Sequence, residues 1–489
     1  MVTRESIEAA ARVAPSERQL AWQELEFYAF IHFTVNTFTD REWGAGDEDP
    51  AIFDPKELNA DQWVEAVKSA GMRGLILTCK HHDGFCLWPS RYTNHTVASS
   101  PWRNGEGDVV KEVADACRRG GIRFGVYVSP WDRHEPSYGD SPAYNDFFKH
   151  QLRELLTNYG DLFCVWFDGA CGEGPNGKRQ VYDWDGYYAL IRELQPGAVI
   201  SVCGPDVRWC GNEAGHTRAS EWSVVPAPLQ DNEKIQERSQ QADDREFAKR
   251  VDTMDADLGS RDVIAGHDRL IWYPAEVNTS IRPGWFYHAA EDDQVKSLEE
   301  LLRVYYGSVG GNGSFLLNVP PDPRGLVHER DAARLKELGD ALRATFRHNL
   351  AAGANARATE EADEAHAAGR ATEANRETFW RPREGTERAA IEVELPEVRT
   401  FDHIVLMEHI RSGQRIERFS LEYADGAEWK ELTRGTIVGY KRICRFPPVT
   451  ARNIRLTIEE SRWCPTISAF EVYCSPKAEG GTRHGDVRY

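Results

Sequence analysis

The chain has 489 residues, 41% of them hydrophobic and 28% charged, with 40 Gly and 24 Pro, a composition of ordinary soluble globular proteins with room for two or three domains. No run of 18 apolar residues occurs, so no helical membrane span is expected. Fifty-nine basic against 78 acidic residues leave a net charge of −19, which repels phosphate backbones and anionic lipid and argues against nucleic acid or a membrane as partner.

Residues 1–20 carry Glu5, Glu8 and Glu17 and lack the apolar stretch of a secretory leader. The expectation is a cytoplasmic protein, or a secreted one from which a leader has been removed. From about residue 27 to 345, short β-branched or aromatic runs alternate with helical periodicity, the pattern of a parallel sheet wrapped by helices. FYAFIH (27–32), GLILTC (74–79), RFGVYV (123–128), LFCVWFD (162–168), AVISV (198–202), ASEW (219–222), LIWYPAE (270–276) and SFLLNV (314–319) predict eight strands; the sixth has the weakest pattern. Between them Trp63, Val64 and Val67 mark one apolar helical face, Val109, Val110, Val113 and Cys117 a second, and Phe147, Phe148, Leu152, Leu155, Leu156 and Tyr159 a third. VKSLEELLRVYY (295–306) precedes the last strand, and Leu335, Leu338, Leu342 and Phe346 follow it. No GxGxxG opens a helix after the first strand, so a closed (β/α)8-like, TIM-type barrel over 1–348 fits better than an open doubly wound sheet.

Within that span, 231–262 is too polar for a core and reads as a solvated insertion. An Ala-rich stretch, 349–376, then reads as a domain junction. Beyond it the period becomes two: Phe419, Leu421 and Tyr423, then Ile454, Leu456 and Ile458, then Phe470 and Val472, with a DG turn at 425–426. Residues 377–476 are therefore expected as an antiparallel β-sandwich, followed by a polar tail, 477–489. The ten Cys include no CxxC pair, and Cys79, Cys117, Cys164, Cys444 and Cys474 sit inside apolar runs, so buried thiols are expected rather than a zinc site or disulfides.

A barrel enzyme builds its site on the C-terminal ends of its strands. That rule selects His32, His81, His82, Tyr127, Asp168 and Glu276, with Glu213 in the loop after the fifth strand. Trp43, Trp88, Trp131 and Trp285 are close in sequence to these positions, and a polar pocket with aromatic walls suits a sugar. Asp168 is the sharpest residue, because Leu162–Phe167 runs straight into an acid followed by Gly169. A carboxylate fixed at a strand end is a good nucleophile; the alternative is a solvated strand end. Its partner would be a carboxyl group kept protonated as general acid, and Glu42, Glu213, Glu221 and Glu276 compete for that role. The adjacent His of KHHDGF (80–85) invite a metal, yet consecutive side chains diverge and no HExxH accompanies them. Neutral imidazoles serving sugar hydroxyls are the preferred reading.

Taken together the motifs resemble the α-L-fucosidases of glycoside hydrolase family 29. FIHFTVNTFTDREWG (30–44), LTCKHHDGFCLWPS (77–90), FGVYVSPWD (124–132), VWFDGA (165–170) and GGNGSFLLNVPPDPRG (310–325) are similar to that family's motifs, in order, across residues 20 to 345. The resemblance implies Asp168 as nucleophile, with His32, Glu42, Trp43, His81, His82 and Tyr127 contacting fucose. RWCGNEAG (208–215) and AEVNTSIRPGWFYH (275–288) resemble the subgroup selective for α-1,3 and α-1,4 linkages of Lewis-type glycans, which implies Glu213 as acid/base and Glu276 and Trp285 as sugar contacts. The closing segment departs from the family in its PPDPRG. The tail, RFSLEYADGAEWKEL through ARNIRLTIEESRWCPTISAFEVY, resembles a discoidin sandwich, here expected to be structural or site-shaping, since only Trp463 stands out as an exposed-loop aromatic. The resemblance implies a retaining exo-α-L-fucosidase acting on fucosylated oligosaccharides or glycoconjugates without cofactor or metal. Alternatives are a fucosidase that also accepts α-1,2 linkages and a non-catalytic glycan-binding protein. The sequence is silent on oligomeric state.

Overall fold

The structure, a computed structural model, describes residues 3–231, 257–373 and 375–476. Strands β1 (Phe27–Ile31), β2 (Gly74–Lys80), β3 (Arg123–Val128), β4 (Cys164–Phe167), β5 (Val199–Val202) and β6 (Arg208–Trp209) are followed by β7 (Val224–Pro226) and β8 (Leu270–Trp272), then by β9 (Ala275–Ser280) and β10 (Gly313–Asn318). Eight of these pair in parallel in the order β5-β4-β3-β2-β1-β10-β9-β6. Phe27–Phe30 lie opposite Phe315–Asn318, so the first and last strands are neighbours, and the seam between β5 and β6 is bridged at Ser201 and Val207. This is a nearly closed TIM-like barrel. β1 and β2 are buried along their whole length, as strands covered on both faces must be.

The helical periodicities of the sequence become Ala60–Ser69, Val109–Gly120, Ser141–Asn158, Leu298–Ser308 and Glu329–Thr345. Their ends follow capping chemistry. Asn59 and Asp108 each accept an N–H from the first turn of the helix that follows, and Ser297 and Glu300 form a capping box. Helix Val109–Gly120 stops at Gly121, which takes the left-handed φ of 68°.

Two expectations about strands are corrected. ASEW (219–222) is no strand: Glu221 is gripped by Arg208 and Arg218, and the segment runs as a clamped loop while the two-residue β6 takes the place beside β9. LIWYPAE splits at Pro274, β8 pairing antiparallel with β7 outside the barrel while the barrel strand starts at Ala275 and runs on to Ser280. No helix separates β5 from β6, so the βα alternation lapses there. Of the polar 231–262, residues 232–256 lie outside the described residues, as does the tail 477–489; residues Arg261–Ile264 form a short helix.

The second unit is an antiparallel sheet of β11 (Asn355–Ala358), β12 (Ala389–Met407), β13 (Ile416–Asp425), β14 (Glu428–Gly435), β15 (Arg442–Ser461) and β16 (Ala469–Tyr473), ordered β11-β12-β15-β13-β14 with β16 on β12. The long β12 and β15 shift register twice, and such bulges bend strands. Ile391 and Val393 from one half of β12 and Ile404 and Leu406 from the other share one core with Phe419, Leu421, Ile454 and Leu456, as in a sandwich. The DG turn closes the β13–β14 hairpin, with Gly426 at φ 65°. The Ala-rich stretch is not a bare junction: it supplies β11, and Ala351, Ala354, Ala368 and Ala371 are buried in the sandwich core, where their small side chains let backbone approach.

The two units are tightly joined. Lys441 of the sandwich reaches the buried Glu26 carboxylate of the barrel at 2.5 Å, and Arg261 pairs with Glu417 at 2.6 Å. The ten cysteines form no disulfide; eight are buried, and Cys171 and Cys474 are half-buried. No helix among the described residues is long and apolar enough to cross a membrane.

Candidate active site

The C-terminal strand ends of the barrel surround a pocket with polar and aromatic lining. Nine of the residues singled out from sequence line it: His32, Glu42, Trp43, His81, His82, Tyr127, Asp168, Glu213 and Trp285.

Asp168 follows β4 directly, and both of its oxygens are held. The Tyr127 hydroxyl donates to Oδ2 at 2.9 Å and the Ala170 N–H to Oδ1 at 2.8 Å. A quarter of the side chain stays exposed toward the pocket. Burial pushes the Tyr127 phenol well above its ordinary pKa, so it remains a donor.

The three histidines are neutral. Burial holds His32 and His82 down to about 4 and His81 well below its usual range. Their tautomers follow from the partners. Asn318 uses its amide N–H groups on Ser280 and Trp285, so its Oδ1 accepts from His32 Nδ1 at 2.8 Å. The Ser129 hydroxyl donates to Trp131 O at 2.7 Å and therefore accepts from His82 Nδ1, also at 2.7 Å. Both rings are left with Nε2 as an acceptor, and His82 Nε2 lies 3.9 Å from Asp168 Oδ2. Either acceptor can take the single hydrogen of a ligand hydroxyl.

Glu213 is half-buried and lines the same pocket. The Trp285 indole donates to its Oε2 at 3.1 Å. Desolvation, reinforced by the charges of Asp168 and Glu42, pushes its pKa up to about 8 against the opposing pull of that indole. It therefore carries a proton at neutral pH. Glu42 accepts the backbone N–H groups of Trp285 and Phe286 at 2.9 and 3.0 Å and the His288 Nε2 hydrogen at 2.8 Å, so it also fixes the segment that presents Trp285. Trp43 stands edge-on to His82 and Trp131, with ring centroids 5.1 and 5.4 Å away.

Four carboxyl or aromatic candidates do not line the pocket, among them Trp131, which packs against Trp43 and His82. Glu276, expected to touch sugar, is fully buried below the pocket and accepts from Tyr28 and Trp166 at 2.5 and 2.7 Å. The sequence ended its strand at Glu276, whereas β9 begins next to it, which places Glu276 a layer down and Asn278 at the pocket wall. Glu221 is fully buried between Arg208 at 2.5 Å and Arg218 at 3.4 Å and does not line the pocket. Trp88 is buried against Glu154, away from the pocket.

Phe30, Trp166, Val202, Trp209 and Asn278 line the pocket and were not singled out. Period-two alternation held the signal for two of them, since Phe30 shares a strand face with His32 and Trp166 with Asp168. Val202 sits at φ 69°, a conformation that a β-branched residue adopts only under strain and that clusters at functional sites. Among the described residues no group of three His, Cys, Asp or Glu side chains is arranged to hold a metal ion.

Comparison with known proteins gives the same picture along the whole chain. Residues 17–345 match the alpha-L-fucosidase family model and residues 355–472 the F5/8 type C domain model. Alpha-L-fucosidase 1 of Arabidopsis thaliana is 42% identical over 477 residues, 96% of this chain and 89% of the relative. A glycoside hydrolase 29 family member from an unknown rumen bacterium superposes with a TM-score of 0.77 at 39% identity, covering 95% of this chain and 78% of that one. A Ruminococcus gnavus GH29 fucosidase solved in complex with fucose gives 0.82 at 32% identity, covering 96% of both chains.

Proposed function

The chain belongs to the glycoside hydrolase family 29 alpha-L-fucosidases and has their hydrolase activity, and from that premise we propose that it releases α-1,3- and α-1,4-linked fucose from Lewis-type branched glycans by double displacement with retention. In this scheme Asp168 attacks the anomeric carbon. As the Asp168–carbon bond forms and the glycosidic bond breaks, Glu213 gives its proton to the departing oxygen. Glu213 then takes a proton from water, the water oxygen bonds to the anomeric carbon, and Asp168 leaves. The neutral His32 and His82 accept hydrogen bonds from fucose hydroxyls. The aromatic walls pack against the apolar faces of the sugar, its C6 methyl included.

The observation that carries the scheme is the contrast between two carboxyl groups in one pocket: Asp168 is clamped by Tyr127 and the Ala170 N–H, while Glu213 is desolvated and pushed up to about 8. Two carboxyl groups in different environments divide the nucleophile and acid roles. The fucose bound in the Ruminococcus gnavus relative supports fucose as the sugar. The likeness of RWCGNEAG to the branched-linkage subgroup supports the linkage.

The test incubates the protein with Lewis a trisaccharide and with 2′-fucosyllactose, with and without Asp168→Ala, and follows the anomer of the released fucose by NMR. Release from the Lewis sugar alone, as α-fucose first, and lost by about 10³-fold or more in the variant, is the expected result. Release from both would leave the nucleophile and overturn the linkage; β-fucose first would overturn retention; release from neither would favour a glycan-binding role or another sugar.

A further inference from the structure

The loop that carries Glu213 leaves the barrel at Trp209 and ends at Val224. Its near end belongs to the barrel, where the Cys210 N–H donates to Glu276 O at 2.9 Å. The turn itself is wrapped by Asn212, whose Oδ1 accepts the Ala214 and His216 N–H groups, each at 3.1 Å, and whose Nδ2 donates to His216 O at 3.0 Å. Gly215, at φ 74°, presses the turn against helix Leu298–Ser308, where a Cβ would meet Val304 at 2.9 Å. Arg218 closes the loop on itself by donating to Cys210 O at 2.9 Å.

The far end is held by the other domain. Ala219 O accepts from the Arg442 guanidinium at 3.3 Å, and the Ser220 and Thr436 hydroxyls are hydrogen-bonded at 2.7 Å. The Ser223 N–H donates to Oε1 of the fully buried Gln414 at 2.8 Å. Asn312, the residue before β10, ties the three parts together. Its Nδ2 donates to Glu221 O at 2.7 Å and to the Ser223 hydroxyl at 3.2 Å, its Oδ1 accepts the Tyr440 N–H at 2.7 Å, and its own N–H donates to Lys441 O at 3.0 Å. It does so at φ 70°, and Gly439 opposite it is required, since a Cβ there would meet the Asn312 amide at 2.3 Å. A strained, buried residue whose N–H and side-chain amide are engaged on both sides marks a junction whose geometry is imposed by its surroundings.

We infer that the sandwich domain is a positioning element for the acid/base loop: Thr436, Gln414 and Arg442, through Asn312 and the Ala219–Ser223 segment, set where Glu213 stands against Trp285. The inference rests on Glu213 being the acid/base. Loosening the seam lets water reach the Glu213 carboxyl and lengthens its proton transfer to the glycosidic oxygen. The cost depends on the leaving group, because a sugar alkoxide departs only with a proton while fluoride departs without one.

The test compares kcat/KM for α-L-fucosyl fluoride with that for whichever fucosylated trisaccharide the native enzyme cleaves, in the Thr436→Val/Arg442→Met double variant and in Asn312→Gly, with Glu213→Gln as reference. Asn312→Gly keeps the left-handed backbone accessible, and the double variant alters the domain face alone. The expected result is a loss of about 10²-fold or more on the trisaccharide for Glu213→Gln and about tenfold for the seam variants, with the fluoride rates within about twofold of native. The basic limb of the trisaccharide pH profile should also move to lower pH in the seam variants. Parallel loss on both substrates, or no loss on either, in the seam variants while Glu213→Gln discriminates would overturn the inference. A Glu213→Gln enzyme that loses both equally would instead overturn the acid/base assignment.

Discussion

The indole of Trp285 donates to Oε2 of Glu213 at 3.1 Å across 72 residues of sequence. This contact holds the acid in place and stabilises its charged form, so it works against the desolvation that pushes Glu213 up to about 8. Replacing the donor while keeping an aromatic ring separates the two effects. In Trp285→Phe the Glu213 pKa should rise further, moving the basic limb of kcat/KM to higher pH, while the rate at neutral pH falls by about 10-fold from lost orientation. A limb that moves to lower pH would show that the indole does not act on this carboxyl.

His288 makes stability depend on alkaline pH. Hydrogen bonds to Glu42, first, and to Asp40 raise it from 6.5 to about 9 in spite of burial. A raised histidine stabilises the fold fully below its unfolded pKa, and the contribution drains away as pH climbs through the folded value. The unfolding free energy should therefore decline between about pH 6.5 and 9, by up to about 3 kcal/mol, and the decline should vanish in His288→Gln. Denaturant titrations at pH 6, 8 and 10 check this; equal slopes in both proteins would refute it.

Glu276 is a structural acceptor, raised to about 7 chiefly by desolvation. Glu276→Leu strands the Trp166 N–H and removes the acceptor of the Tyr28 hydroxyl. The cost should be about 1–3 kcal/mol for each group left unsatisfied, read as a lowered Tm. An unchanged Tm combined with lost activity would return Glu276 to the list of sugar contacts.

The KHHDGF segment is anchored by Lys80, fully buried, which pairs with Asp132 at 2.8 Å and donates to Gln151 Oε1 at 2.9 Å. Lys80→Met leaves a buried carboxylate without its cation and should cost about 3–5 kcal/mol. The double variant Lys80→Met/Asp132→Leu should recover part of that loss, because no buried charge is left alone. Equal instability of single and double variants in urea unfolding would show that the pair contributes only packing.

Much of this protein is legible in its sequence. Six of the eight barrel strands announce themselves as short apolar runs, and the helix faces between them read directly, because burial imposes period on sequence. His32, His81, His82 and Asp168 stand where strands end, so their convergence follows from barrel architecture. The sandwich shows itself through the change to period two.

What the sequence could not settle is depth and neighbourhood. Alternation places Glu276 and Asn278 on one face of β9 but does not say which layer of the barrel each occupies; that depends on where the strand starts and on its register with β10. On local pattern alone four glutamates compete as acids, and only the resemblance of RWCGNEAG favours Glu213; the structure surrounds Glu221 with two arginines, buries Glu276 against Trp166, binds Glu42 to the Trp285 segment and desolvates Glu213 against the Trp285 ring. A carboxyl group's proton affinity is set by whatever packs around it, and here those groups come from parts of the chain far apart in sequence, the sandwich seam among them. Local pattern determines which elements form, and only their assembly decides which acid keeps its proton.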